Sequence, residues 1–135
     1  MIQIRQGIDI VEISKFKGIV QRNERFVEEI FTEQERAYCG SMKNPFPHLA
    51  GRFAAKESYL KALGAGISGP GIDAIFQEIE VIPTASGRPE ISVKGWAEQM
   101  ARKRKISQCS VSISHTSQYA VATVILVGDP AEQKG

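Results

Sequence analysis

β-Branched apolar positions interleaved with polar ones open the chain: IQIRQGIDIVEI at 2–13 reads as a strand, with Gly7 marking a place of close backbone approach. Asp9 lies on that strand or at its end. The period then changes to a helical one. Ser14 is placed to cap a helix to about Gln21, with Phe16, Ile19 and Val20 as its apolar stripe and Lys15 and Arg22 seven residues apart on one side. Helical spacing continues from Arg25 to Ile30. Thr32-Glu33-Gln34-Glu35 then matches the S/T-x-x-E capping box of another helix, running to about Cys39 and stopped by Gly40. Pro45 and Pro47 predict a loop through SMKNPFPH, because proline breaks a helix interior.

The longest helix follows as HLAGRFAAKESYLKAL at 48–63, offering Leu49, Phe53, Leu60 and Leu63 to a core and ending at Gly64. Beyond the Gly-rich GAGISGPG, four stretches alternate or run apolar as strands: AIFQEIEVIP, RPEISVKG, CSVSISH and YAVATVILV. Gly87 in TASGRP predicts a tight turn joining the first two as an antiparallel hairpin. GWAEQMARKRKI reads as a helix between the second and third. The pattern predicts one α+β domain over residues 1–128, a mainly antiparallel sheet packed against a long helix, with 129–135 as a frayed tail.

Composition narrows the functional classes. At 135 residues, with 42% hydrophobic and 24% charged residues, the chain suits one globular domain with its own core. A net charge of +2 is too mild to indicate nucleic-acid binding. The start MIQIRQGIDI lacks the basic leader and apolar run of a signal peptide, and no stretch approaches a membrane span, so a cytoplasmic protein is expected. Cys39 and Cys109 stand apart, without the spacing of a zinc site, and read as reduced thiols.

Glu57 and Lys61 are i and i+4 on the long helix, and Gly64 lies a turn further on the same face. They form either an exposed ion pair or one side of a ligand site. Arg52, Ala54, Ala55 and Ala62 thin the helix surface enough for something to lie against it. Asp9 follows Gly7 and Ile8 in an apolar strand, where an ionised carboxylate needs a partner: a nearby Lys or Arg, or a hard cation. Mg²⁺ prefers oxygen ligands and often takes one or two carboxylates, completed by water and phosphate. Lys61 beside such a pair would add a point charge where a phosphate leaving group develops its own. Ser112 and Ser114 share one side of a strand that ends at His115, which is placed to meet a phosphate or accept a proton.

Taken together, G-I-D at 7–9, R-F-A-A-K-E-S-Y-L-K-A-L-G-A-G at 52–66, G-R-P at 87–89 and S-I-S-H-T at 112–116 closely resemble the holo-acyl-carrier-protein synthases, the small trimeric class of 4′-phosphopantetheinyl transferases. The similarity runs in register from about residue 4 to residue 127. It implies transfer of the phosphopantetheine arm of coenzyme A, a co-substrate, to a serine of apo acyl carrier protein, with Mg²⁺ as cofactor and adenosine 3′,5′-bisphosphate released. By resemblance Asp9 and Glu57 are the metal ligands and Lys61 lies near the coenzyme A phosphates. Gly64 and Gly66 match the Gly-rich turn at the nucleotide, and Ser112 and His115 the late-strand contacts to coenzyme A. Glu57, acting directly or through a metal-bound water, is the preferred general base, with His115 second.

The resemblance also implies a homotrimer with sites between subunits, and carrier docking on a basic early helix matched by Lys15, Arg22 and Arg25, with Lys17 close by. Lys15 stands where the family usually has Arg, exchanging a forked contact for a point charge, and Glu24 interrupts the basic run. Two other readings use the same residues: a noncatalytic module binding nucleotide or carrier, and an oligomerisation domain with merely ion-paired carboxylates.

Overall fold

A computed structural model describes residues 1–64 and 72–129. Strand β1 (Gln3–Glu12) leads into helices α1 (Ile13–Arg22), α2 (Phe26–Ile30), α3 (Glu33–Gly40) and α4 (Pro45–Leu63). Then follow α5 (Ile72–Gln77), the strands β2 (Ile79–Pro83) and β3 (Pro89–Val93), α6 (Gly95–Lys103), β4 (Ile106–His115) and β5 (Tyr119–Gly128). Two antiparallel sheets result, one ordered β1-β5-β4 and one pairing β2 with β3 across the Gly87 turn, where φ is +83°. The α+β architecture with a long helix on an antiparallel sheet is as the pattern predicts. The expected tail and the rest of the Gly-rich connection lie outside the described residues.

α4 lies on one face of the three-stranded sheet. Alternation turns Ala120, Ala122, Val124 and Leu126 of β5 into that interface, each at most 1% exposed. Small residues on α4 bring the two backbones close: Ser58 Oγ donates to Ala54 O of its own helix at 2.7 Å and to Ala122 O of β5 at 2.9 Å. Phe16 packs against Phe26 and Phe53, and Phe53 stacks on Phe76 with centroids 5.6 Å apart, so α1, α2 and α5 are all seated on α4. The sheet's other face carries Ile4, Ile8 and Ile10 in the open, at 68%, 58% and 64% exposure.

The structure corrects several local expectations. Pro45 and Pro47 do not make a loop. They occupy the first turn of α4, where the missing N–H groups have no helical partner to lose, and Asn44 caps the start through its side chain. Glu12, not Ser14, is the N-cap residue of α1, and the Ser14 hydroxyl donates to the Glu12 carboxylate. Gly40 is the last residue of α3 rather than its stop, and the capping box at Thr32 and Glu35 is present in both directions. The strand expected from Ala74 begins only at Ile79, because residues up to Gln77 form α5. α6 ends at Lys103 and β4 starts earlier than expected, at Ile106. Both cysteines are free, and burial pushes the Cys39 thiol up to about 11.

One buried feature escaped the sequence pattern. Lys56 and Glu35 form a fully buried ion pair at 2.7 Å, and Lys56 Nζ also donates to Phe76 O and Ile79 O at 2.7 and 2.6 Å. Glu35 in turn accepts from Thr32 N and Val81 N. Burial pulls the Lys56 pKa down and the Glu35 charge opposes it. α3, α4, α5 and β2 are thereby tied at one point. Lys56→Met is expected to lower unfolding stability by roughly 3 kcal/mol, since it strands a buried carboxylate. Urea titration checks it, and a change under about 0.5 kcal/mol would show that Glu35 finds another partner.

Candidate active site

β1 and α4 bring the first cluster together. Asp9 sits two residues beyond Gly7 on the strand face that meets α4, and Glu57 and Lys61 rise from α4 opposite it. All three line a cavity of about 360 Å³ whose walls include Val11, Phe16 and Phe53, with Lys15 at its edge. Lys61 Nζ donates to Asp9 Oδ1 at 2.9 Å and to Ile8 O at 3.0 Å. The ion pair at this site therefore crosses from strand to helix, instead of running along the helix to Glu57.

The electrostatics leave this cluster short of positive charge. Burial raises the Glu57 pKa, the nearby Asp9 charge raises it further, and Lys61 only partly opposes them. Two carboxylates face one ammonium. No group of three or more His, Cys, Asp or Glu side chains is arranged for a metal among the described residues. The oxygen donors present instead fit a hard cation that takes two carboxylates and fills its remaining positions from water and phosphate.

A second cluster gathers at the other end of α4. His115, ending β4 on the α4 side, faces the His48 ring at 5.6 Å, and His48 meets Tyr38 edge-on. Arg52 lies over the Tyr38 ring at 4.3 Å and donates through Nη1 to His48 O, while its buried Nε has no partner among the described residues. Burial lowers the His48 pKa, with Arg52 and His115 adding to the effect. His48, His115 and the Arg52 guanidinium thus meet at this end of α4. The sequence pattern singled out His115 as a candidate ligand contact, but not the His48 and Arg52 that the structure brings beside it. Their spacing of four along a helix was the available signal.

The remaining expected residues fall in three places. Ser112 pairs with Thr123, which pairs with Ile8, so these three make a row across the face turned away from α4. Neither Ser112 nor His115 lines the cavity of Asp9 and Glu57. Gly64 ends α4 in the left-handed conformation at φ +70°, and Arg5 Nη1 donates to Leu63 O beside it. This cap by Arg5 was also unread, and Gly66 lies outside the described residues. Lys15 and Arg22 are exposed on α1, whereas Arg25 precedes α2 after a break at Asn23, so the basic face is not one continuous helix. Lys15 approaches Glu12 at 3.7 Å, and Lys17 sits over the Phe46 ring.

With this geometry in place, comparison with known proteins is decisive. A model of the 4′-phosphopantetheinyl transferase superfamily matches residues 5–124. The chain belongs to that superfamily. It is 45% identical over 126 residues to a holo-[acyl-carrier-protein] synthase of Caldanaerobacter subterraneus subsp. tengcongensis, covering 93% of this chain and 96% of that protein. Among transferase structures it resembles an ACPS-CoA complex of Chronobacterium ammoniagenes with TM-score 0.82 and 30% identity, covering 94% of this chain and 98% of that one. A crystal structure of a holo-(acyl-carrier-protein) synthase from Bacillus anthracis in complex with CoA (3′,5′-ADP) matches with TM-score 0.75 and 33% identity, over 96% and 100% of the two chains.

Proposed function

We propose that this transferase moves the 4′-phosphopantetheine arm of coenzyme A onto a serine hydroxyl of apo acyl carrier protein and releases adenosine 3′,5′-bisphosphate. The convergence of Asp9, Glu57 and Lys61 in one cavity carries this reading. Asp9 and Glu57 would hold Mg²⁺, which when bound supplies charge neutralisation on the diphosphate. Lys61 gives an ammonium to the oxygen that leaves with the bisphosphate. The serine oxygen bonds to the β-phosphorus, the bond from that phosphorus to the bridging oxygen breaks, and Glu57 takes the serine proton. The raised proton affinity of Glu57 suits that last task, with His115 the second candidate.

His115, His48 and Arg52 form another part of the coenzyme A site, and Ser112, on the opposite face of the sheet, gives a separate contact; both serve a neighbouring subunit's Asp9 and Glu57 in a homotrimer. The bare isoleucine face of β1, which is costly to leave in water, supports such assembly. Gly64 and Gly66 give the turn at the nucleotide. A cytoplasmic location accords with free cysteines; no helix among the described residues is long and apolar enough to cross a membrane.

Lys15, Arg22 and Arg25 receive the acidic carrier. Reversing two of these charges, in Lys15→Glu with Arg22→Glu, is expected to raise KM for apo carrier about tenfold at low salt, with kcat within about twofold. Steady-state rates across a salt series check this, and an unchanged KM would move the docking face elsewhere.

Intact-mass analysis of apo acyl carrier protein incubated with the protein, coenzyme A and Mg²⁺ tests the whole reading. A gain of one phosphopantetheine arm is expected, suppressed by chelation. No gain across several carriers would refute the assignment.

A further inference from the structure

Lys61 is held at the strand end of the cavity by two oxygen acceptors, the Asp9 carboxylate and the Ile8 carbonyl, at 2.9 and 3.0 Å. An ammonium with that pair of contacts occupies the kind of position a hard cation takes. The Asp9 side chain is 18% exposed and that of Lys61 52%, so the carboxylate is fixed while the ammonium has room to leave. Its long flexible stem starts one helical turn from Glu57, within the same cavity. Glu57 has no such direct cation contact among the described residues.

We infer that Lys61 is the resident counter-ion of Asp9 and exchanges partners during binding: the divalent cation displaces it from Asp9, and a coenzyme A phosphate receives it. The inference rests on the metal reading given above and adds the order in which charges are handed over. Lys61 and the metal compete for one carboxylate, so metal binding alone is weakened. Coenzyme A relieves that competition by giving the ammonium another anion. Metal and coenzyme A affinities are therefore linked, and by thermodynamic reciprocity each raises the other by the same factor.

Calorimetric titration of MnCl₂ into the full chain tests this, using wild type and Lys61→Met with and without coenzyme A. Without coenzyme A, Lys61→Met is expected to bind Mn²⁺ about fivefold tighter than wild type, the size of one partly exposed ion pair. Titrated with coenzyme A alone, the same variant is expected to bind about fivefold more weakly. Opposite signs are the signature of exchange, since a merely structural lysine would weaken both. Lys61→Gln, which keeps a polar end, repeats the measurement if Lys61→Met melts early. Mn²⁺ binding by Lys61→Met that is no tighter than wild type overturns the exchange alone. No saturable Mn²⁺ binding by wild type, even with coenzyme A, overturns the metal reading and the exchange together.

Discussion

Glu57→Gln is expected to remove on the order of 10³-fold of the transfer rate while leaving the melting temperature unchanged or higher. The two halves of that result have one cause. Glu57 is half-buried, and burial together with the Asp9 charge raises its pKa, which means that its ionised form is held at a cost to the apo fold. An amide of nearly the same shape removes the charge repulsion and the desolvation cost, so stability does not fall. The same change removes the proposed metal ligand and proton acceptor, so transfer does. Single-turnover mass analysis and thermal unfolding on one preparation read both quantities. Near-full activity in Glu57→Gln would sink its assignment as metal ligand and base. Lost activity with an early melt would point to a packing role instead.

What sequence alone conveyed depended on how local each cause was. The capping box at Thr32, the left-handed Gly64 and the Gly87 turn each follow from a few adjacent residues, and all three stand in the structure. Asp9 was conspicuous because a carboxylate in Ile8-Asp9-Ile10 needs a partner wherever the strand goes. The prolines misled because their effect depends on position: in the first turn of α4, behind the Asn44 cap, they favour the helix they would break further in. α5 was mistaken for strand because a six-residue helix is too short to display its period.

The charged residues that were missed share a different reason. Lys56 is adjacent to Glu57 but, about 100° away around α4, turns into Glu35 and the carbonyls of Phe76 and Ile79. Nothing in K-E-S says which of the two is buried. Arg5 caps α4 from 58 residues away, and Arg52 stacks on Tyr38 from another helix. Such partners exist only once the helices have packed. The same holds for the separation between His115 and the Asp9 cavity, which motif order along the chain does not encode.

Gly7→Ala should be the most destabilising methyl addition among the described glycines, with an expected loss of about 4 kcal/mol or more. A Cβ at Gly7 would lie 1.9 Å from Ser58 O and 2.9 Å from Ala62 N. Both are backbone atoms of α4, so no side-chain rotation relieves the overlap. Ser58 is also held to Ala122 of β5, and β5 is paired to β1 through Gly7 and Val124, so the strand has no independent room to retreat. Gly40→Ala supplies the contrast: with nothing within 4 Å of its added Cβ and a helical setting, it is expected to gain about 0.5–1 kcal/mol. Urea unfolding of the two variants measures the difference, and a Gly7→Ala loss below about 1 kcal/mol would mean that β1 and α4 can separate cheaply. The functional consequence follows from position. Asp9 is two residues along the same strand face, so the displacement that makes space for a methyl at Gly7 also draws Asp9 away from Glu57 and Lys61. In whatever fraction of Gly7→Ala stays folded, Mn²⁺ affinity should fall with stability, because one backbone contact sets both the packing of the sheet on α4 and the distance between the two carboxylates.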